Sequence, residues 1–124
     1  MRFADAWNNH DVDAVMDFFD DDCTYLASFG PERDGTTYRG RDAVRAGVKA
    51  YLANFPDGRY SELDSFVVGD RGASEWTFRG TSRQTGEQVE VRGCDLFEFA
   101  NGKIRMKNAF RKERTDSLKP TTEG

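Results

Sequence analysis

Val91-Arg92-Gly93-Cys94-Asp95-Leu96-Phe97-Glu98-Phe99-Ala100-Asn101-Gly102-Lys103-Ile104 is the stretch on which the fold turns. Val91, Gly93, Asp95, Phe97 and Phe99 alternate with Arg92, Cys94, Leu96 and Glu98 at the period of a strand, and Asn101-Gly102 is hairpin-turn chemistry. A second strand-like run, Lys103 to Lys112, follows at once, so the stretch predicts two antiparallel strands. Asp95 falls on a face otherwise made of apolar and small residues.

Upstream the same period covers Tyr60 to Val68 and Ala73 to Ser82, joined by Gly69-Asp70-Arg71-Gly72 and Gln84-Thr85-Gly86-Glu87. These connectors have turn composition and hairpin spacing, so residues 60–112 predict an antiparallel meander. Earlier still the period is helical. Residues 3 to 19 read as helix in two pieces, broken at Asn8-Asn9-His10, with Asp11 as N-cap before Val12, Val15, Met16 and Phe19. Asp20, Asp21 and Asp22 read as the solvated end of that helix, since acids are unfavourable at a helix C-terminus. Cys23 to Phe29 is a short strand-like run, and Gly30 to Gly35 a loop closed by Tyr38 and Gly40. A second helix spans about Asp42 to Phe55, with Val44, Val48, Tyr51, Leu52 and Phe55 on one stripe, ended by Pro56-Asp57-Gly58. Helices first and strands afterwards is an α+β order.

The chain has 124 residues, room for one domain over 1–114. Residues 115–124 hold Leu118 as their large apolar side chain and read as a disordered tail. The 18 basic and 22 acidic side chains give a net charge of −4, which argues against a nucleic-acid backbone as partner. Apolar runs are too short to span a membrane and the N-terminus has no signal-peptide core, so a cytoplasmic protein with no membrane partner is expected. Cys23 and Cys94 have no further Cys or His at metal-ligand spacing and read as packing thiols; the lone His10 reads as a surface residue in a polar turn.

Phe3-Ala-Asp-Ala-Trp-Asn-Asn-His-Asp-Val-Asp-Ala-Val, Phe19-Asp-Asp-Asp-Cys-Thr, Tyr38-Arg-Gly-Arg-Asp-Ala-Val-Arg and the hairpin at 92–104 together resemble the nuclear transport factor 2-like superfamily, in its SnoaL-like and ketosteroid-isomerase-like branch. Order and spacing carry the likeness over residues 3 to 112. It implies a cystatin-like fold, a curved antiparallel sheet wrapped by N-terminal helices into a cone with one apolar pocket, which commonly dimerises through the outer sheet face. The family's first helix usually begins several residues earlier than Phe3, which implies either a less closed pocket here or a start assigned too late. The superfamily hosts isomerases, cyclases, dehydratases, epoxide hydrolases and binding modules, so function has to come from pocket residues.

Aligned on the isomerase pattern, Asp95 falls where the family keeps a carboxylic acid that donates to the substrate oxyanion, Phe3 where it keeps a tyrosine, and Ala27 where it keeps a general-base aspartate. The last two departures argue against ketosteroid isomerase activity. SnoaL-like cyclases place an aspartate in the last strand, where Lys107-Asn108-Ala109-Phe110 stands here. Arg92 with Asp95 resembles the Arg and Asp pairs of family epoxide hydrolases, but residues three apart on a regular strand face opposite ways, so that pairing requires a bulge at Gly93.

The residues themselves point the same way. Asp95 among apolar neighbours is the candidate proton-transfer group, or else a structural carboxylate in an ion pair. Trp76 and Phe78, with Gly80 and Ser82, are expected to face it by the hairpin register and to hold a flat apolar ligand together with Phe97. Lys107, Ala109 and Arg111 share one face of the last strand, and Met106, Asn108 and Phe110 the other; whichever is inward supplies Lys107 or Asn108 as oxyanion stabiliser. Trp7, Tyr25, Phe29 and Tyr38 are expected to line or lid the pocket. The expected function is a cofactor-free, metal-free isomerase, dehydratase or cyclase-type enzyme acting on a small apolar carbonyl or hydroxyl compound by acid–base chemistry. The alternative is a non-catalytic ligand-binding or dimerisation module. A homodimer is expected in either case.

Overall fold

The structure, a computed structural model, describes residues 2–114, so the expected tail at 115–124 lies outside the described residues. Three helices, α1 (Phe3–Asn8), α2 (Val12–Asp17) and α3 (Arg41–Asn54), accompany six strands: β1 (Phe19–Leu26), β2 (Thr37–Arg39), β3 (Arg59–Val68), β4 (Arg71–Thr81), β5 (Gln88–Ala100) and β6 (Lys103–Arg111). They form one curved, unclosed sheet in the order β2-β1-β6-β5-β4-β3, a cystatin-like α+β cone.

Local chemistry sets the element ends. Asp11 caps α2 by accepting a hydrogen bond from the Ala14 amide at 3.1 Å. The break before it turns through His10, whose φ of 55° lies in the left-handed region. The α3 stripe buries Val44, Val48, Tyr51 and Leu52 against the sheet. Gly47 on that helix lets the Tyr38 ring lie close, because a Cβ there would come within 2.8 Å of it.

Strands β3 to β6 form the expected antiparallel meander, and β5 pairs regularly with β4 from Arg71↔Glu98 to Thr81↔Gln88. Two elements differ from the sequence reading. Asp20, Asp21 and Asp22 do not end a helix; they belong to β1, which starts at Phe19 and runs parallel to β6. A register shift between Phe19 and Thr24 leaves Asp21 and Asp22 exposed side by side, so the acids are solvated by a strand irregularity rather than a frayed helix. Thr37–Arg39, read as the end of a loop, is an added edge strand on β1.

The concave face carries Tyr25, Trp76, Phe78, Val91, Phe97 and Ala109, all buried beneath the helices. The outer face leaves Phe66, Leu96 and Phe110 exposed. No helix among the described residues is long and apolar enough to cross a membrane.

Candidate functional site

Alternation along β5 turns Asp95 to the concave side, and the ladder sets Ser74 of β4 and Ala109 of β6 on either flank. Trp76 and Lys107 share that face and close on the carboxylate. Trp76 Nε1 donates to Asp95 Oδ2 at 3.1 Å and Lys107 Nζ donates to Oδ1 at 3.1 Å. The ion pair is almost fully enclosed, with side-chain exposures of 4% for Lys107 and 8% for Asp95. The ammonium also lies 5.0 Å from the centre of the Trp7 ring and 4.7 Å from that of Tyr25, a cation–π seat that offsets part of its lost hydration.

These groups border a cavity of about 140 Å³, lined further by Phe3, Tyr60, Leu63, Ser65 and Phe97. A cavity of about 150 Å³ holds one benzene ring, so this space suits a ligand of single-ring size. Trp7 lines it too, and its Nε1–H is buried with no acceptor among the described residues. Burial pushes the Tyr25 and Tyr60 hydroxyls far above their usual range; the Asp95 charge adds to the rise in both, and Tyr51 also in Tyr60. Burial likewise pushes Tyr51 up to about 12. The hydroxyls around the ion pair therefore stay neutral at ordinary pH. The site thus offers a carboxylate with free lone pairs, an ammonium with free N–H groups, an unused indole N–H and aromatic walls.

Of the residues singled out by sequence, Asp95, Lys107, Trp7, Trp76 and Phe97 meet at this cavity, and Tyr25 underlies Lys107. Others do not. Asn108 pairs with Leu96 on the ladder and faces the outer side, because its neighbour Lys107 takes the inner one. Phe78 is core, packed on Phe55 at 5.0 Å, Tyr60 at 5.1 Å and Tyr51 at 5.5 Å. Tyr38 stacks on Tyr25 at 5.6 Å, away from the cavity, and Phe29 stands 53% exposed beside Tyr51 near the end of β6. Arg92 has no bulge to bring it to Asp95; on the outer face it donates to Thr77 Oγ1 at 2.9 Å.

Phe3 does line the cavity, without the hydroxyl of the isomerase tyrosine, and Ala27 is buried in the core. Cys23 and Cys94 are free thiols whose ionisation burial pushes up, which suits packing rather than nucleophilic roles. The His10 ring reaches Gly58 O at 3.0 Å, tying the α1–α2 turn to the start of β3. Among the described residues no group of His, Cys, Asp or Glu is gathered in a way that could hold a metal ion.

Tyr60, Leu63, Ser65 and Ser74 were missed as lining residues. Ser74 was legible: it lies two residues before Trp76 on the same strand face. Leu63 and Ser65 were not, because β3 shifts register between Ser61 and Asp64 around Glu62, whose φ is 54°. A glutamate gives no sequence signal for that conformation.

Residues 1–106 match the family described as SnoaL-like domain. No curated protein matches the chain. A nuclear transport factor 2-like protein of unknown function from Mesorhizobium loti is 27% identical, with TM-score 0.73, over 90% of this chain and 86% of that one. A candidate polyketide cyclase from Xanthomonas campestris pv. campestris is 19% identical, TM-score 0.75, over 87% and 83%. A protein of ketosteroid isomerase-like fold from Catenulispora acidiphila DSM 44928, solved with trimethylamine, is 18% identical, TM-score 0.74, over 87% and 80%.

Proposed function

For this chain, which belongs to the SnoaL-like domain family, we propose a cofactor-free enzyme that moves a proton on a small, single-ring carbonyl or hydroxyl compound held against Asp95. The observation that carries the reading is the buried Asp95 carboxylate facing an aromatic cavity, with the Lys107 ammonium 3.1 Å away. Asp95 takes a proton from the carbon beside a substrate carbonyl; the C–H bonding pair becomes the enolate double bond as the carbonyl π pair moves onto oxygen. Lys107 N–H and the unused Trp7 N–H hold that developing enolate, while Phe3, Trp76 and Phe97 exclude water. Returning the proton to the far end of the conjugated system completes an isomerisation; expelling a β-hydroxyl, with the proton transferred to it, completes a dehydration. The polyketide cyclase and ketosteroid isomerase-like names of structural neighbours support chemistry of this class.

The second reading, a binding module, is favoured by one observation: neither Phe3 nor Ala27 supplies the tyrosine or aspartate of the isomerase pattern. The two separate on 3-cyclohexenone, a ring of the cavity's size. Formation of the conjugated 2-enone, followed by its ultraviolet absorbance, is expected with the wild type and lost in Asp95→Asn. Saturable binding without product selects the module.

The reading includes a cytoplasmic homodimer with the outer sheet face as its contact. Exposed Phe66, Leu96 and Phe110 on that face support it, and sedimentation of wild type against Phe110→Glu tests it.

A further inference from the structure

Lys107 and Arg111 project from the same face of β6, yet only Lys107 finds a carboxylate. The ladder partner of Arg111 on β5 is Gly93, which offers no side chain. Gly93 cannot be enlarged to supply one, because a Cβ there would collide with the Trp76 ring. The neighbouring carboxylate on that face, Asp95, already serves Trp76 and Lys107. Arg111 Nη1 is accordingly buried with no hydrogen-bond partner, and Arg111 makes no salt bridge, among the described residues. An unsatisfied buried donor on a charged group is costly, so an acceptor that draws the guanidinium out of this position is favoured.

The surroundings define that acceptor. Arg111 lines a depression of about 1050 Å³ with Ser28, Phe29, Val89 and Val91, separate from the Asp95 cavity. Phe29 presents a 53% exposed ring to it, backed by Tyr51 at 6.4 Å. On the rim, Lys112 and Arg114 stand with Glu87, Glu90 and Glu113; Arg79 donates to Glu90 Oε2 at 2.7 Å, and Arg114 donates to the Glu90 backbone carbonyl at 3.1 Å. With Glu90 paired to Arg79, the remaining rim charges, Lys112 and Arg114 against Glu87 and Glu113, cancel, and the net charge left is the Arg111 guanidinium, set beside an aromatic and a valine wall. A planar monoanion with an apolar body fits this; a dianion would meet the rim glutamates. We infer that Arg111 and Phe29 form a second site, independent of the Asp95 reading, that binds a small organic carboxylate through Arg111 with its apolar part on Phe29 and Val91.

The test is an amide-resolved NMR titration of the full chain with benzoate, with inorganic phosphate as the second arm. Saturable benzoate shifts are expected at residues 28–30, 89–91 and 111, with the Trp76 indole resonance unmoved, and phosphate is expected to bind more weakly. Arg111→Met keeps the aliphatic stem and is expected to weaken benzoate at least tenfold while melting at the wild-type temperature or above it. Arg111→Lys, which keeps the charge and loses the fork, is expected to fall between them. Absence of saturable benzoate binding, wild-type affinity in Arg111→Met, or tighter phosphate than benzoate overturns the proposal. So does a markedly lower melting temperature for Arg111→Met, which would make the guanidinium a structural strut.

Discussion

Lys107 and Arg111 stand on one face of one strand and have opposite circumstances. Lys107 is enclosed, bonded to Asp95 and seated over two aromatic rings; Arg111 keeps a buried nitrogen that nothing among the described residues satisfies. The difference arises across the ladder, where Asp95 is available to one cation and Gly93 faces the other. Burial alone therefore says little about the role of a charge. A paired cation holds the fold and conditions its partner, whereas an unpaired one weakens the fold until a ligand arrives.

The largest effect should come from breaking the paired end. Lys107→Met leaves Asp95 buried without its cation and is expected to lower unfolding free energy by about 3–5 kcal/mol in urea titrations at pH 7. The double variant with Asp95→Asn should lose less than the sum of the two single losses, a non-additivity that measures the pair itself. Gly93→Ala, between the two ends, forces a methyl into the Trp76 ring and should cost about 1–3 kcal/mol by the same titration.

Tyr51 carries a pH signature. Its folded value, pushed up from 10.0 to about 12, lies above the unfolded one, so the unfolded chain loses this proton first as pH rises. Its contribution is intact below about pH 10 and falls away toward pH 12, at about 1.4 kcal/mol per unit, read as the difference between wild type and Tyr51→Phe in urea titrations across that range. Smallest of all, Arg111→Met should stay within about 0.5 kcal/mol of wild type or rise above it. A loss as large as that of Lys107→Met would erase the contrast between the two cations.

Much of this was legible in the sequence. The alternation from Val91 to Phe99 and the Asn101-Gly102 turn set the β5–β6 hairpin, and the register of the hairpin before it placed Trp76 on the Asp95 face. The side chosen by β6 was not legible, since Lys107 and Asn108 are both polar and period-two counting fixes neither phase nor burial. The burial of Lys107 depends on Trp7 and Tyr25, which arrive from distant segments. The same holds for Arg111, whose isolation follows from a glycine that Trp76 imposes from a neighbouring strand. Aromatic character alone did not tell that Phe29, Tyr38 and Phe78 stand away from the Asp95 cavity, because a ring suited to a pocket wall is equally suited to a core or a rim.

Solvent deuterium exchange into the carbon acids of 3-cyclohexenone tests the central claim most directly, because proton abstraction precedes isomerisation in this scheme. Followed by NMR for wild type, Asp95→Asn and Arg111→Met side by side, exchange is predicted in the wild type and in Arg111→Met and at the uncatalysed rate in Asp95→Asn. Exchange by Asp95→Asn at the wild-type rate would contradict the assignment of proton transfer to the paired end of the strand.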